Sequence, residues 1–104
     1  MISIEDIKEA QKKISNYIYK TPQVHSTVLS KINQRVSLKL ESMQITGSFK
    51  LRGAINKLLS LSDAQKKRGV IAVSTGNHGK GVAYAAKQLG IKSIIFMSNL
   101  VPTY

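Results

Sequence analysis

Cysteine is absent from this 104-residue sequence, which excludes disulfides and thiolate metal sites. No apolar run reaches the roughly 18 residues that a helix needs to cross a bilayer. The N-terminal residues 1–6 are acidic early and lack the basic start and apolar run of a signal peptide. We therefore expect a cytoplasmic protein without a membrane partner.

Acidic residues are also scarce, because five Asp and Glu stand against 16 Lys and Arg and leave a net charge of +11. Such a charge is typical of a nucleic-acid or anionic-membrane partner, or of a fragment whose acidic complement lies elsewhere. The basic residues are scattered, and their densest run, 66–68, suits the C-terminus of a predicted helix. Since no aromatic residues alternate with them, we expect no nucleic-acid partner. The few carboxylates offer no paired-carboxylate or metal site.

The first forty residues predict a helix, a shorter helix and a strand. Ser3, with Asp6 three residues later, indicates a helix start, and Thr21 ends the helical region because it precedes a proline. Four isoleucines share one face of this helix: Ile4, Ile7, Ile14 and Ile18. We expect a short helix at 26–32, and alternating apolar residues at 36–40 predict a strand with one buried face.

The middle of the chain predicts two helices after a loop at 42–47. The first begins at Ser48, and its apolar residues follow a helical period: Leu51, Ala54, Ile55, Leu58 and Leu59. The second begins at Ser62 or Asp63 and ends near Gly69.

The last third predicts a parallel strand–helix–strand unit. Continuous apolar residues at 70–73 are typical of a strand covered on both faces, and 93–97 is the next strand. Between them, a polar loop at 74–79 leads into a helix that ends at Gly90. That helix packs four apolar residues inward: Val82, Ala85, Ala86 and Leu89. Two such strands cannot bury both faces here, so we interpret the sequence as truncated, or as the first part of a larger enzyme.

A lysine stands in the first turn of the predicted helix, within the segment 46–54, TGSFKLRGA. The helix dipole disfavours a cation there and helps Lys50 to release its proton, and burial would add to this effect. A neutral amine is what Schiff-base chemistry requires. The alternative is a surface lysine on a solvated helix face, and these residues alone favour that alternative.

The segment 74–81, STGNHGKG, follows an apolar strand and opens a helix. Free backbone N–H groups at a helix N-terminus bind phosphate or carboxylate, and Gly76, Gly79 and Gly81 would let a ligand approach closely. The segment is neither a GxGxxG fingerprint nor a P-loop. An ordinary turn has the same composition, so the residues leave both interpretations open. His78 is a hydrogen-bonding scaffold or a base.

Together, the segments 47–54, GSFKLRGA, and 74–79, STGNHG, resemble the fold-type II pyridoxal-phosphate (PLP) enzymes, which include threonine and serine dehydratases and serine racemase. The resemblance implies an α/β fold, the N-terminal part of the two-domain, tryptophan synthase β-like architecture. Residues 1–68 would belong to the large PLP domain, and 69–104 would start the small domain. The family's phosphate-binding glycine loop is missing, so we expect the chain as given to be incomplete and inactive.

The resemblance also implies roles for individual residues. Lys50 would form the Schiff base with PLP and act as the base at the substrate α-carbon, while Phe49 would flank the cofactor ring. Asn77 would hydrogen-bond the 3′-hydroxyl of PLP. The loop that grips the substrate carboxylate would consist of Ser74, Thr75, Gly76, Asn77 and His78.

The implied reaction is β-elimination and deamination of a small hydroxy amino acid, of the threonine or serine type, to a 2-oxo acid and ammonia. The full-length enzyme would be a homo-oligomer. The alternatives are an amino-acid racemase of the same fold, and a degenerate, non-catalytic basic binding module. The residues at 79–81, GKG, and at 96–102, FMSNLVP, resemble the dehydratase branch linked to hydroxyectoine utilisation, which leaves the exact substrate open.

Overall fold

The computed structural model describes residues 1–100, so the ends of the predicted small domain and of the segment 96–102 lie outside the described residues. The elements in this range are α1 (Ile4–Ile14), β1 (Gln23–His25), β2 (Ser37–Lys39), α2 (Lys50–Leu59), α3 (Asp63–Arg68), β3 (Val70–Val73), α4 (Asn77–Gln88) and β4 (Ser93–Phe96), with 3-10 turns at Ser15–Tyr17 and Glu41–Met43. Every helix within residues 1–100 is too short or too polar to cross a lipid bilayer.

Two helices begin at complete capping boxes; the sequence predicts the first, at Ser3, and leaves the start of the second open between Ser62 and Asp63. In α1 the Ser3 hydroxyl accepts the Asp6 N–H at 3.1 Å, and the Asp6 carboxylate accepts the Ser3 N–H at 2.7 Å. This backbone hydrogen bond lowers the pKa of Asp6. In α3 the same exchange joins Ser62 and Gln65, and the helix ends at Gly69, whose φ of +85° favours glycine. Both helix starts are therefore defined locally.

The predicted helix at 26–32 is wrong, because this segment is a series of turns between the two strands of an antiparallel hairpin, β1–β2. The serine side chains explain the difference. Ser26 Oγ accepts the N–H of Leu29 at 3.2 Å, and Ser30 Oγ accepts the N–H of Val36 at 3.0 Å. Serines that bond the backbone in this way offer it an alternative to the helix.

The expected buried face of the strand at 36–40 is only partly confirmed. Val36 and Leu40 are half-buried, whereas all three residues of β2 between them are exposed, because the hairpin is a two-stranded sheet. The isoleucine face of α1 is also only partly buried. Ile14 joins the core, whereas Ile4 and Ile7, in the first turns of α1, lie outside the core and are 59% and 57% exposed.

The core lies between α2 and α4, which pack against each other more extensively than any other pair of described elements. Its buried residues are Ile14, Leu51, Ala54, Ile55, Leu58, Val82, Ala85, Ala86 and Ile91. The predicted inward faces of both helices are thus confirmed, although Leu59 and Leu89 are only half-buried. Residues from both sides of position 68, the predicted domain boundary, contribute to this one core.

The parallel strand–helix–strand unit is confirmed, since β3 pairs in parallel with β4 from Val70↔Ser93 to Val73↔Phe96. The expectation that β3 is covered on both faces is wrong. Its residues alternate between half-buried and exposed, because α4 covers one face and no described element covers the other. We call the uncovered side the outer sheet face, and its exposed apolar residues are Ile71, Val73, Ile94 and Phe96.

Candidate functional site

Lys50 is the first residue of α2, and a tight turn precedes the helix. Gly47 has a φ of +76°, which favours glycine, and its N–H donates to the Gln44 carbonyl at 2.8 Å. The N-cap position is held by Phe49, which provides no side-chain cap within the described chain. Lys50 therefore lies at the N-terminus of the helix, as the sequence predicts, and the helix starts two residues later than predicted.

A cavity of about 310 Å³ lies beside this helix start. It is lined by Phe49, Lys50, Gly53, Ala54, Lys57 and His78. Four of these residues lie along α2, Phe49 is the N-cap of that helix, and His78 comes from the first turn of α4. The Lys50 Nζ is 5.0 Å from the centroid of the Phe49 ring, within range of a cation–π contact. The cavity thus brings together residues from both segments that the sequence singles out.

Lys57 is a lining residue that the sequence analysis missed. It lies seven residues after Lys50, and this spacing places both amines on one helix face. The helical period could have identified it, but no motif points to it.

Lys50 lies at the surface of the described structure, which is the position that the residues alone favour over burial. It is exposed, and Phe49 is 58% exposed. The reason is that residues 1–100 provide only α2 and the start of α4 as walls of the cavity.

The N-terminus of α4 leaves backbone donors free. The first hydrogen bond within the helix runs from the Lys80 N–H to the Gly76 carbonyl, at 3.1 Å. The three preceding N–H groups, of Asn77, His78 and Gly79, have no acceptor within the helix. No described side chain caps this end, in contrast to the capping boxes of α1 and α3. Free N–H groups at the positive end of a helix dipole attract anions.

The predicted carboxylate-binding residues cluster at this helix end. Thr75, Gly76, Asn77 and His78 are exposed, and Ser74 is half-buried. The Ser74 hydroxyl accepts the Gly76 N–H at 3.3 Å, which bends the chain into the helix. Asn77 and His78 belong to the helix itself rather than to the predicted polar loop.

Two of the three glycines in this segment serve packing, so the expected ligand approach at Gly79 and Gly81 is wrong. A Cβ atom on Gly81 would lie 3.2 Å from the Leu51 nitrogen, and one on Gly79 would lie 2.9 Å from the Ile95 side chain. Both glycines are buried. At Gly76, by contrast, a Cβ atom would meet nothing within 4 Å in the described chain. Close packing at Gly81 holds the two helix N-termini side by side.

A buried polar atom without a hydrogen-bond partner in the described chain lies next to the turn at Gly47. Thr46 Oγ1 is buried and has no hydrogen-bond partner among residues 1–100. Such atoms are uncommon in folded proteins.

The groups at this site together fit a ring-shaped aldehyde with anionic substituents. The amine can condense with the aldehyde, the aromatic ring can lie against the ring of the ligand, and the amide and free backbone N–H groups can donate hydrogen bonds to its oxygens.

Comparisons with known proteins agree with this chemistry. The family model described as "Pyridoxal-phosphate dependent enzyme" matches residues 14–104. The L-threonine ammonia-lyase of Thermotoga maritima is 48% identical over 103 residues, which cover 98% of this chain and 26% of that protein.

Solved structures give the same result. The structure of maize serine racemase superposes with a TM-score of 0.89 at 38% identity, over 97% of this chain and 31% of the other. The T.th. threonine deaminase has a TM-score of 0.79 at 43% identity, over 92% of this chain and 34% of the other. The chain therefore spans between about a quarter and a third of the proteins that it matches.

Proposed function

Since this chain belongs to the family of pyridoxal-phosphate dependent enzymes, we propose that it takes part in removing ammonia from a small hydroxy amino acid of the threonine or serine type. The expected fold class, the N-terminal part of the fold-type II architecture, is confirmed by the family match and the solved relatives. The observation that carries the proposal is the cavity in which Lys50 adjoins the uncapped start of α4.

In this proposal, Lys50 holds the cofactor through its Nζ atom. Phe49 lies beside the cofactor ring, and its contact with the lysine amine supports that arrangement. Asn77 donates its side-chain amide to the ring hydroxyl. Pyridoxal phosphate, when bound, supplies the electron sink for charge that develops at the substrate α-carbon, and the protein supplies orientation.

The start of α4 binds the substrate carboxylate in this proposal. The free N–H groups of Asn77 and His78 and the exposed backbone at Gly76 are the donors, and Ser74 and Thr75 contribute hydroxyl groups. The absence of a capping side chain on the described α4 supports this role, since a cap would occupy the same donors.

Lys50 also transfers the proton of the substrate α-carbon. The β-hydroxyl leaves with a proton as water, and hydrolysis of the resulting enamine by water gives ammonia and a 2-oxo acid. A racemase is the second candidate, supported by the likeness to maize serine racemase, and it requires a second base on the opposite side of the α-carbon.

We further propose a cytoplasmic homo-oligomer in which residues 1–68 and 69–104 belong to two domains. The packing of α2 against α4 would then form part of the contact between those domains. The whole enzyme would be longer than this chain, in line with the lengths of its relatives.

A chimera tests the proposed function. Residues 1–104 replace the matching segment of the Thermotoga maritima L-threonine ammonia-lyase, and ammonia release from L-threonine and L-serine is measured. We expect turnover, and we expect Lys50→Ala to lower it by at least about 100-fold, the usual contribution of a proton-transferring group. Lys12→Ala, on the exposed surface of α1, is the matched control and should retain the rate.

The same assay separates the rival functions. Inversion of the α-carbon without ammonia release, measured by chiral chromatography, would favour the racemase. A Lys50→Ala chimera with undiminished turnover would refute the role of this lysine, whereas a folded, unchanged chimera with neither ammonia release nor inversion would leave the basic binding module as the remaining interpretation.

A further inference from the structure

A cluster of hydrogen-bonded polar side chains contacts α2 on the side away from the cavity. The Arg52 guanidinium donates from Nε to Glu41 Oε2 at 2.9 Å and from Nη2 to Glu41 Oε1 at 2.7 Å. Two parallel bonds of this kind fix both the distance and the plane of the two groups. The side chains are only 30% and 17% exposed, so solvent weakens the pair less than it would on the surface.

Thr21 completes this cluster, which we call the Glu41 cluster (Thr21, Glu41 and Arg52). Its hydroxyl donates to Glu41 Oε1 and lies 3.3 Å from Arg52 Nη2, and the residue is 4% exposed. The Lys39 amine donates to the Thr21 carbonyl. The hydrogen bond from Arg52 also lowers the pKa of Glu41 to about 2, so the carboxylate stays charged at any ordinary pH.

The cluster acts on the first turn of α2, where Phe49 provides no side-chain cap and a long hydrogen bond, 3.4 Å, joins the Lys50 N–H to Ser48 Oγ. Residues two apart on a helix point to nearly opposite sides, so Arg52 faces the cluster while Lys50 faces the cavity. On the other flank, Gly81 of α4 lies against the backbone of Lys50 and Leu51. The start of α2 is therefore held between a bidentate ion pair and a close helix contact.

We propose that Glu41 and Arg52 are positioning residues that set the direction of the Lys50 amine. The inference rests on the proposed function, in which Lys50 holds an aldehyde cofactor. A helix start whose side-chain hydrogen bond is this long frays easily, and fraying would let the amine leave the orientation that condensation with an aldehyde requires. The ion pair thus restrains the start of α2, as the capping residues restrain the starts of α1 and α3.

Two lysines on one helix allow a test within a single molecule. The 104-residue chain is incubated with pyridoxal phosphate and reduced with borohydride, and the ratio of labelled Lys50 to labelled Lys57 is measured by peptide mass spectrometry. Both amines line the same cavity, but Lys57 lies two turns beyond the restrained start of α2. A general change of the fold affects both sites, whereas a change of positioning affects the ratio.

We expect the unchanged chain to label Lys50 in preference to Lys57. Glu41→Gln, which keeps the shape but removes the charge, should lower the ratio by about tenfold, since small misplacements of a reacting group cost up to ~100-fold. Arg52→Lys, which keeps the charge but cannot form both hydrogen bonds, should lower it as well. Glu9→Gln, on the exposed surface of α1, is the matched control and should leave the ratio unchanged.

Circular dichroism shows whether each variant is folded. If Glu41→Gln loses its helices, the labelling ratios of Arg52→Lys and Thr21→Val test the positioning role instead, because these variants alter the cluster without removing the carboxylate. An unchanged ratio in the folded variants would overturn the positioning role, while preferential labelling of Lys50 in the unchanged chain would still support the proposed function. Equal labelling of both lysines in the unchanged chain would instead refute both.

Discussion

Gly81 of α4 lies against the backbone of Lys50, so closely that a Cβ atom at position 81 would be 3.3 Å from the Lys50 carbonyl carbon. This contact sets the separation of α2 and α4 at their N-termini. It also explains how an amine from one helix and free N–H groups from another come to adjoin one cavity.

Gly81→Ala should therefore destabilise the protein, although alanine favours helices more than glycine does. We expect the free energy of unfolding to fall by about 1 kcal/mol, because the overpacking cost of about 1–3 kcal/mol exceeds the gain in helix propensity of about 1 kcal/mol. Urea denaturation followed by circular dichroism measures the change.

Gly53 provides the matched control for this substitution. It lies in the middle of α2, and a Cβ atom there would meet nothing within 4 Å in residues 1–100. Gly53→Ala should raise the free energy of unfolding by about 0.5–1 kcal/mol. Equal effects of the two substitutions would contradict the close contact at Gly81.

The Glu41–Arg52 pair should make stability depend on acid pH. The hydrogen bond from Arg52 lowers the pKa of Glu41 from 4.5 to about 2, so this contribution is complete above about pH 4.5 and is lost as the pH falls towards 2. At pH 6 we expect Glu41→Gln to be less stable than the unchanged protein by about 1–2 kcal/mol, the usual range for a partly exposed charged hydrogen bond. The difference should shrink between pH 4.5 and pH 2.

Parallel urea titrations of the two proteins isolate this effect, because the other acidic groups are present in both. A difference that stays constant down to pH 2 would show that the carboxylate charge does not contribute to the pair.

Asn77→Asp should separate helix stability from ligand binding at the start of α4. A carboxylate in the first turn interacts favourably with the helix dipole, by about 0.3–1 kcal/mol, so thermal stability should rise slightly. The same charge repels an anionic ligand, so the chimera should require a higher L-threonine concentration for half-maximal ammonia release. Asn33→Asp, at an exposed turn of the hairpin, is the matched control, and it should change neither quantity. Unaltered substrate dependence in Asn77→Asp would argue against a carboxylate site here.

The outer sheet face should be replaceable by polar residues at little cost in the isolated chain. Val73 is 80% exposed, so Val73→Thr should change the free energy of unfolding by less than about 0.5 kcal/mol and reduce light scattering by the concentrated protein. Ile55, which is fully buried, is the contrasting position, and Ile55→Ala should cost about 2–5 kcal/mol. A large loss of stability in Val73→Thr would show that this face is covered within the isolated chain.

Local features of this protein could be predicted from the sequence because the interactions that create them span few residues. The capping boxes at Ser3 and Ser62 and the glycine stop at Gly69 each involve partners within one or two helical turns. The inward faces of α2 and α4 follow from helical period alone. The resemblance carried by the segment around Lys50 adds the family, which the comparisons confirm.

Features that depend on distant residues were predicted poorly. The hairpin was missed because Ser26 and Ser30 bond the backbone of a turn, and propensity does not show which partner a serine will choose. The burial expected for β3 on both faces was wrong because exposure depends on which elements lie over a surface, and the pattern of one segment does not contain that information.

The sequence by itself determined the starts of α1 and α3 and the lysine at a helix N-terminus, since each depends on residues a few positions apart, and the apolar segments on either side of α4 indicated the parallel strand pair. Only the tertiary structure decided that Gly81 serves as a packing contact, that Lys57 shares the cavity, and that Glu41 reaches Arg52. These relationships arise where separate elements meet in space, and close packing of side chains, rather than local chain preference, selects them.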